Sequence, residues 1–306
     1  MEFSRRNKTG KARKPKSFDL FSLFAFLLPG PWGALLLTGA FMVLMYLTGL
    51  VTISLYLAGL IGLEAVSLIA YTMTFALLLI PCTSVSRAHA FRMEEGGVAL
   101  NSSHFGKAGM PAVLLLGAAG MIGAAFVTEP LSMLVERLIP PSQAYQNSLR
   151  LLMEGNPWLI ALQVCILAPV FEEIFCRGIL LRGLLRRMRP GWAILLSAAL
   201  FALMHGNPWQ GAGALVLGLL LGYAYYRTGS LWLTMLMHAA NNLFSLLLLH
   251  TPSYVSASSW TEILPPWGYA ALLGGGALLT ALLLRVLSRI PMENPRGNLD
   301  PVDLRF

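Results

Sequence analysis

Glu172 and Glu173 stand side by side in an apolar stretch, Val170-Phe171-Glu172-Glu173-Ile174-Phe175-Cys176-Arg177. A charged side chain placed in hydrocarbon costs roughly 2.5–3.5 kcal/mol on insertion scales. The chain has only 14 acidic residues, so a pair set here implies local compensation or a chemical task. Glu173 and Arg177 are four residues apart and share a helix face. Their pairing would neutralise one carboxylate and leave Glu172, rotated by about 100°, free for proton chemistry. A buried ion pair with a protonated neighbour is the structural alternative.

Two further polar clusters interrupt later apolar runs. Phe201-Ala202-Leu203-Met204-His205 ends one of them, and His238-Ala239-Ala240-Asn241-Asn242 lies in another. Taken alone, a histidine near a helix end is often an interfacial residue, and an asparagine in a span often bonds a neighbouring helix. Taken together, the set has a chemistry. A carboxylate can take a proton from water while a histidine orients that water. An asparagine amide can donate to a developing oxyanion. This inventory suits hydrolysis of an amide. The same glutamate and histidines could hold a divalent metal and lower the pKa of its water, although no His-Glu-x-x-His spacing is present. A serine nucleophile is disfavoured, because no Gly-x-Ser-x-Gly turn occurs. An aspartyl mechanism is disfavoured because Asp19, Asp300 and Asp303, the only aspartates, all lie near the termini.

The elements that must position these residues are membrane helices. Of 306 residues, 56% are hydrophobic and 12% charged, and the mean hydropathy is +0.67; soluble domains carry about a quarter charged residues. Eight spans are expected, near 33–58, 64–83, 108–128, 157–181, 191–206, 211–227, 230–250 and 267–287, of about 20 residues each. The fold class is an all-α polytopic membrane bundle. The short aromatic stretch Phe18–Leu28 is expected at the interface. The segment 130–155, with Pro140-Pro141 and an amphipathic run, reads as an outer loop bearing a surface helix. Three units follow: a basic cytoplasmic segment with its interfacial helix (1–29), one transmembrane bundle (30–287) and a cytoplasmic tail (288–306). The apolar run 20–29 ends in Pro-Gly-Pro without a small-residue cleavage site, so no cleavable signal peptide is expected.

The charge distribution gives the orientation. With the N-terminus inside, 19 of the 22 Lys and Arg residues fall on cytoplasmic pieces, as the positive-inside rule requires. Both termini are therefore expected in the cytoplasm. The seven basic residues from Arg5 to Lys16 read as a topology signal that meets anionic lipid; without interleaved aromatics they do not read as a nucleic-acid arm. Cys82, Cys165 and Cys176 have no metal-knuckle spacing. Gly218 and Gly222 have the small-xxx-small spacing of close helix contact, read as packing within the bundle ahead of dimerisation.

The ordered motifs Glu172-Glu173-xxx-Arg177, Phe201-xxx-His205 and His238-xxx-Asn242 resemble those of the CAAX protease and bacteriocin-processing (CPBP, or Abi) family, which includes the type II CAAX prenyl endopeptidases. The resemblance covers about 157–245. It implies an intramembrane endopeptidase in which Glu172 is the general base, His205 helps to hold the water, and Glu173 and Arg177 shape the site. His238 and Asn242 would stabilise the oxyanion or complete the water cluster. Both a metalloprotease, with Glu172, His205 and His238 as possible ligands of a divalent metal such as zinc, and a metal-free glutamate mechanism are open. A water-filled cavity is expected between the fourth, fifth and seventh spans, since a peptide backbone needs hydrogen-bond partners inside a bilayer. The implied substrate is a membrane-associated, prenylated or leader-type peptide, with membrane lipids as the surroundings and a bacterial cell membrane as the expected setting. The competing functions are a non-proteolytic scaffold or immunity factor binding a peptide or lipid in the same polar cavity, and a proton-coupled transporter. Oligomeric state is left open.

Overall fold

A computed structural model describes residues 27–88, 105–255, 257 and 259–291. The basic segment around Arg5 to Lys16, most of the stretch expected at the interface, and the tail from residue 292 onward lie outside the described residues. Among the described residues the regular structure is helical throughout. Eight long helices and one surface helix follow in order: α1 Pro31–Leu57, α2 Leu63–Ala88, α3 Met110–Leu138, α4 Gln143–Glu154, α5 Pro157–Leu185, α6 Pro190–Met204, α7 Pro208–Thr228, α8 Leu231–Leu249 and α9 Pro266–Ser288. Six of them, α1, α2, α3, α5, α8 and α9, are long and apolar enough to cross a membrane. The other two long helices, α6 and α7, lie where the fifth and sixth spans are expected.

Local sequence sets these starts. Proline opens α1, α5, α6, α7 and α9, where its missing N–H is not needed. Side chains of Ser142, Asn156, Asn207 and Ser230 accept from first-turn N–H groups of α4, α5, α7 and α8, as N-caps do. Every one of the seven tryptophans stands in the first turn of a helix. Trp32, Trp158, Trp192, Trp232 and Trp267 are exposed, the placement expected of an aromatic belt at the two membrane faces.

The third span differs from expectation. The stretch after residue 128 continues as helix through Pro130 to Leu138 instead of opening into a loop. Pro130 removes only one helical hydrogen bond, and Leu131, Leu134 and Leu138 extend the apolar stripe beyond it, exposed as lipid-facing residues would be. The surface helix is present as α4.

Two buried cores meet at the middle of the bundle. One is built mainly from α1, α2, α5 and α6 around Phe41, Phe75, Phe175, Leu181 and Phe201, with Tyr225 of α7 and Met235 of α8 joining it. The other joins α3, α7, α8 and α9 around Met121, Leu221, Leu233, Met237 and Leu283. Close approach depends on glycine. A Cβ on Gly123 would stand 2.6 Å from the carbonyl oxygen of Gly276, and one on Gly276 would stand 2.6 Å from that of Gly123, which brings α3 against α9. Gly218 and Gly222 face Ala198 and Ile194 of α6, so this pair serves packing within the bundle. Arg227, at the end of α7, donates to the final carbonyls of α9, at Leu287 and Ser288, a favourable place for a cation. The two helix ends therefore lie on the same side.

Candidate active site

The polar residues converge where the two cores meet. Helix α5 carries the glutamate pair and is not a uniform α-helix. Leu162–Leu167 and Ile174–Leu181 are wound as π-helix, with α-helix from Ala168 to Glu173 between them. Such turns concentrate at functional sites. Pro169 gives a local reason for the first. The N–H of Ala168 bonds to Gln163 O, five residues back. In that register the carbonyl of Val164 would look to residue 169, and proline has no N–H. The side chain of Asn242 supplies the donor instead, with Nδ2 2.8 Å from Val164 O. The Asn241 amide donates in turn to Asn242 Oδ1 at 3.3 Å.

Glu173 is buried, at 0% side-chain exposure. Its Oε1 accepts from Arg177 Nη1 at 2.8 Å and lies 3.0 Å from His238 Nδ1. A carboxylate oxygen only accepts, so Nδ1 of His238 carries the proton and Nε2 is left to face elsewhere. It faces Glu172, with Nε2 3.9 Å from Oε2. That gap exceeds a direct hydrogen bond and suits one bridging water. Glu172 retains 15% side-chain exposure, which makes it the more accessible of the two carboxylates. Its Oε1 accepts from the hydroxyl of Tyr71 in α2 at 2.8 Å.

Arg177 is also fully buried. Besides Glu173 it donates from Nη2 to the carbonyl of Gly218 at 3.1 Å. Its guanidinium lies 4.6 Å from the ring centroid of Phe201, a cation–π distance. Phe201 thereby acts as a hub, because the His205 and His238 rings both meet it edge-on, at 5.1 and 5.6 Å. His205 Nδ1 lies 2.9 Å from the Phe201 carbonyl; the carbonyl can only accept, so Nδ1 donates, and in the neutral ring Nε2 is the acceptor. A helix of 15 residues rises about 22 Å, less than the roughly 30 Å of hydrocarbon. The His205 end of α6 therefore stops short of the far face.

The structure thus joins Glu172, Glu173, Arg177 and His238 directly. It brings His205 to the group through Phe201, and Asn242 through the backbone of α5. His205 makes no hydrogen bond or ion pair with Glu172 among the described residues; the histidine nearest to that carboxylate is His238. Among the described residues no three His, Cys, Asp or Glu side chains converge as metal ligands. The expected trio of Glu172, His205 and His238 is divided, with His205 turned to its own helix. These donors do not fit a three-ligand site as they stand. Beside the site, a cleft of about 220 Å³ between α5 and α8 is lined by Cys165, Val170, Trp232 and Ala239 among others. Its lining is apolar and lies between the fourth and seventh spans.

Tyr71 was not found from sequence, because a lone tyrosine in an apolar helix carries no spacing signal and its partner is 101 residues away. The interhelical role of Phe201 was equally hidden, although the residue belongs to the second motif.

Comparison with known protein families falls on the segment that carries these residues. Residues 154–244 match the family described as type II CAAX prenyl endopeptidase Rce1-like, which supports membership of the CAAX protease (CPBP) family. The matched segment holds Glu172, Glu173, Arg177, His205, His238 and Asn242, and leaves Tyr71 outside. A 99-residue stretch is 35% identical to the uncharacterized protein YyaK of Bacillus subtilis (strain 168), covering 28% of this chain. The chain spans about a third of the length of that curated relative, 33%. No solved structure matches.

Proposed function

We propose that the chain is an intramembrane endopeptidase in which Glu172 activates a water molecule for peptide-bond hydrolysis. The observation that carries the reading is the facing pair Glu172 Oε2 and His238 Nε2, 3.9 Å apart and braced from behind by the buried Glu173–Arg177 pair. A water hydrogen-bonded to both would be oriented before substrate arrives. Glu172 takes a proton from it as the oxygen adds to the scissile carbonyl carbon. The same proton then passes from Glu172 to the departing nitrogen as the C–N bond breaks, leaving a carboxylate and an amine.

Supporting parts follow from the same contacts. The imidazole Nε2 of His205 can accept from a substrate N–H. The amide of Asn242 donates one N–H to the Val164 carbonyl and has a second N–H that can donate to a developing oxyanion. The substrate class is a membrane-associated peptide, with a prenylated C-terminal peptide the precedent in the matched family and a leader-type peptide the other form. The distribution of Lys and Arg supports both termini in the cytoplasm, with a bacterial cell membrane as the proposed setting.

The test is cleavage by purified protein in lipid vesicles, using membrane-peptide and prenyl-peptide pools read by mass spectrometry. Wild type should yield products that Glu172→Gln does not. Equal products from both proteins would overturn the assignment. A chelator arm separates the two mechanisms. Unchanged turnover supports metal-free glutamate catalysis, and loss restored by zinc assigns a divalent metal.

A further inference from the structure

We infer that Tyr71 is a positioning residue for Glu172, so that helix α2, outside the segment matched to the family, completes the site. The inference rests on the reading of Glu172 as the base.

The carboxylate of a glutamate turns broadly about its last torsion. In this site its two oxygens have different surroundings. Oε1 accepts from the Tyr71 hydroxyl at 2.8 Å, and Oε2 faces His238. A phenol donates while a carboxylate accepts, so the hydroxyl holds Oε1 and leaves Oε2 as the oxygen turned to the water position. Without it, nothing described on the α2 side fixes the plane of the carboxylate.

Tyr71 is itself held. Its ring packs on Phe75 at 5.0 Å. Phe75 packs on Phe41 of α1 at 5.2 Å and on Phe171, the neighbour of Glu172, at 5.4 Å. Ser67, Tyr71 and Phe75 follow at four-residue spacing and so share one face of α2. All three meet α5. Ser67 accepts from Gln163 at 2.9 Å, Tyr71 meets Glu172, and Phe75 meets Phe171 and Phe175. This seam fixes the height of the hydroxyl against the carboxylate, and misplacement of a catalytic group by about 1 Å can cost a hundredfold in rate.

The experiment uses full-length protein in lipid vesicles. Tyr71→Phe keeps the ring and removes the hydroxyl. It should lower kcat about ten- to a hundredfold while KM stays within about twofold. Ser67→Ala, which cuts another stitch of the same seam without touching Glu172, should keep the wild-type kcat. A wild-type kcat in Tyr71→Phe beside an inactive Glu172→Gln would overturn this inference alone. An active Glu172→Gln would overturn the reading of Glu172 itself. An equal loss in Ser67→Ala would assign the effect to packing and also overturn the inference. Thermal unfolding gives a readout that needs no substrate. Tyr71→Phe should lower Tm in wild type and raise it in a Glu172→Ala background, where the hydroxyl has lost its acceptor. The same change in both backgrounds would contradict the bond.

Discussion

Nε2 of His238 stands 3.9 Å from Oε2 of Glu172, while Nδ1 of the same ring is 3.0 Å from Glu173. One imidazole therefore links the accessible carboxylate to the buried one. Its orientation is set by Glu173, which in turn is anchored by Arg177. We predict that His238→Ala lowers kcat by about 10²–10⁴-fold, the usual contribution of a positioned proton-handling side chain, while the protein remains folded in lipid. Steady-state peptide cleavage beside a thermal melt checks this. A loss under threefold would remove His238 from the mechanism.

The Glu173–Arg177 pair is a structural brace. Both side chains are fully buried, and removing one partner of such a pair typically costs about 3–5 kcal/mol because the other charge is stranded. Arg177→Leu is therefore expected to destabilise strongly, and Arg177→Leu combined with Glu173→Leu to recover much of the loss. Arg177→Lys should not rescue, since an ammonium cannot reproduce both the fork to Glu173 and Gly218 and the stacking on Phe201. Unfolding in detergent, followed by helical signal, measures all three.

Pro169 and Asn242 form a compensating pair. The proline leaves the Val164 carbonyl without a helical donor, and the Asn242 amide supplies one. Asn242→Ala should destabilise by about 1–3 kcal/mol, the cost of an unpaired buried acceptor. Pro169→Ala restores an N–H at position 169 and should reduce that penalty. Additive effects in the double variant would show that the two residues are independent.

Much of this was legible from hydropathy. The long helices follow the apolar runs to within a few residues at most ends, because about 20 apolar residues must bridge the hydrocarbon. The exception is α3, which runs on to Leu138 through the start of the segment 130–155 expected as an outer loop; the apolar stripe Leu131 to Leu138 favours this continuation. The site was legible as a set of polar residues, since such residues are costly in a bilayer. Its wiring was not. The four-residue spacing suggested the Glu173–Arg177 pairing, but that Glu172 turns to Tyr71 depends on how α2 packs on α5, which no local pattern encodes. The π-turns were hidden as well; Pro169 is their one sequence sign, and a proline in a membrane helix is common. His205 is expected to help hold the water; its Nδ1 bonds the carbonyl of Phe201 on its own helix, and the ring that faces Glu172 is that of His238, a distinction no spacing encodes.

Glycine contacts give a test of the bundle apart from the chemistry. Gly123→Ala or Gly276→Ala would press a methyl group against a backbone carbonyl of the opposite helix, initially 2.6 Å away, and backbone cannot yield as a side chain can. Either should lower stability by about 1–3 kcal/mol. Gly274→Ala and Gly275→Ala, which have nothing within 4 Å of the added Cβ, should be neutral or slightly stabilising through helix propensity. Melting temperatures of the four variants check the close α3–α9 approach, and a uniform response would contradict it.

The central claim is that a water activated at Glu172 supplies the new oxygen. A single turnover in ¹⁸O-labelled water, followed by mass spectrometry of the product and of the peptide containing Glu172, tests it directly. The account predicts one ¹⁸O in the new C-terminal carboxylate and none in Glu172. Label in the Glu172 carboxylate would mean that the glutamate had attacked the substrate itself through an acyl-enzyme, and would contradict the claim.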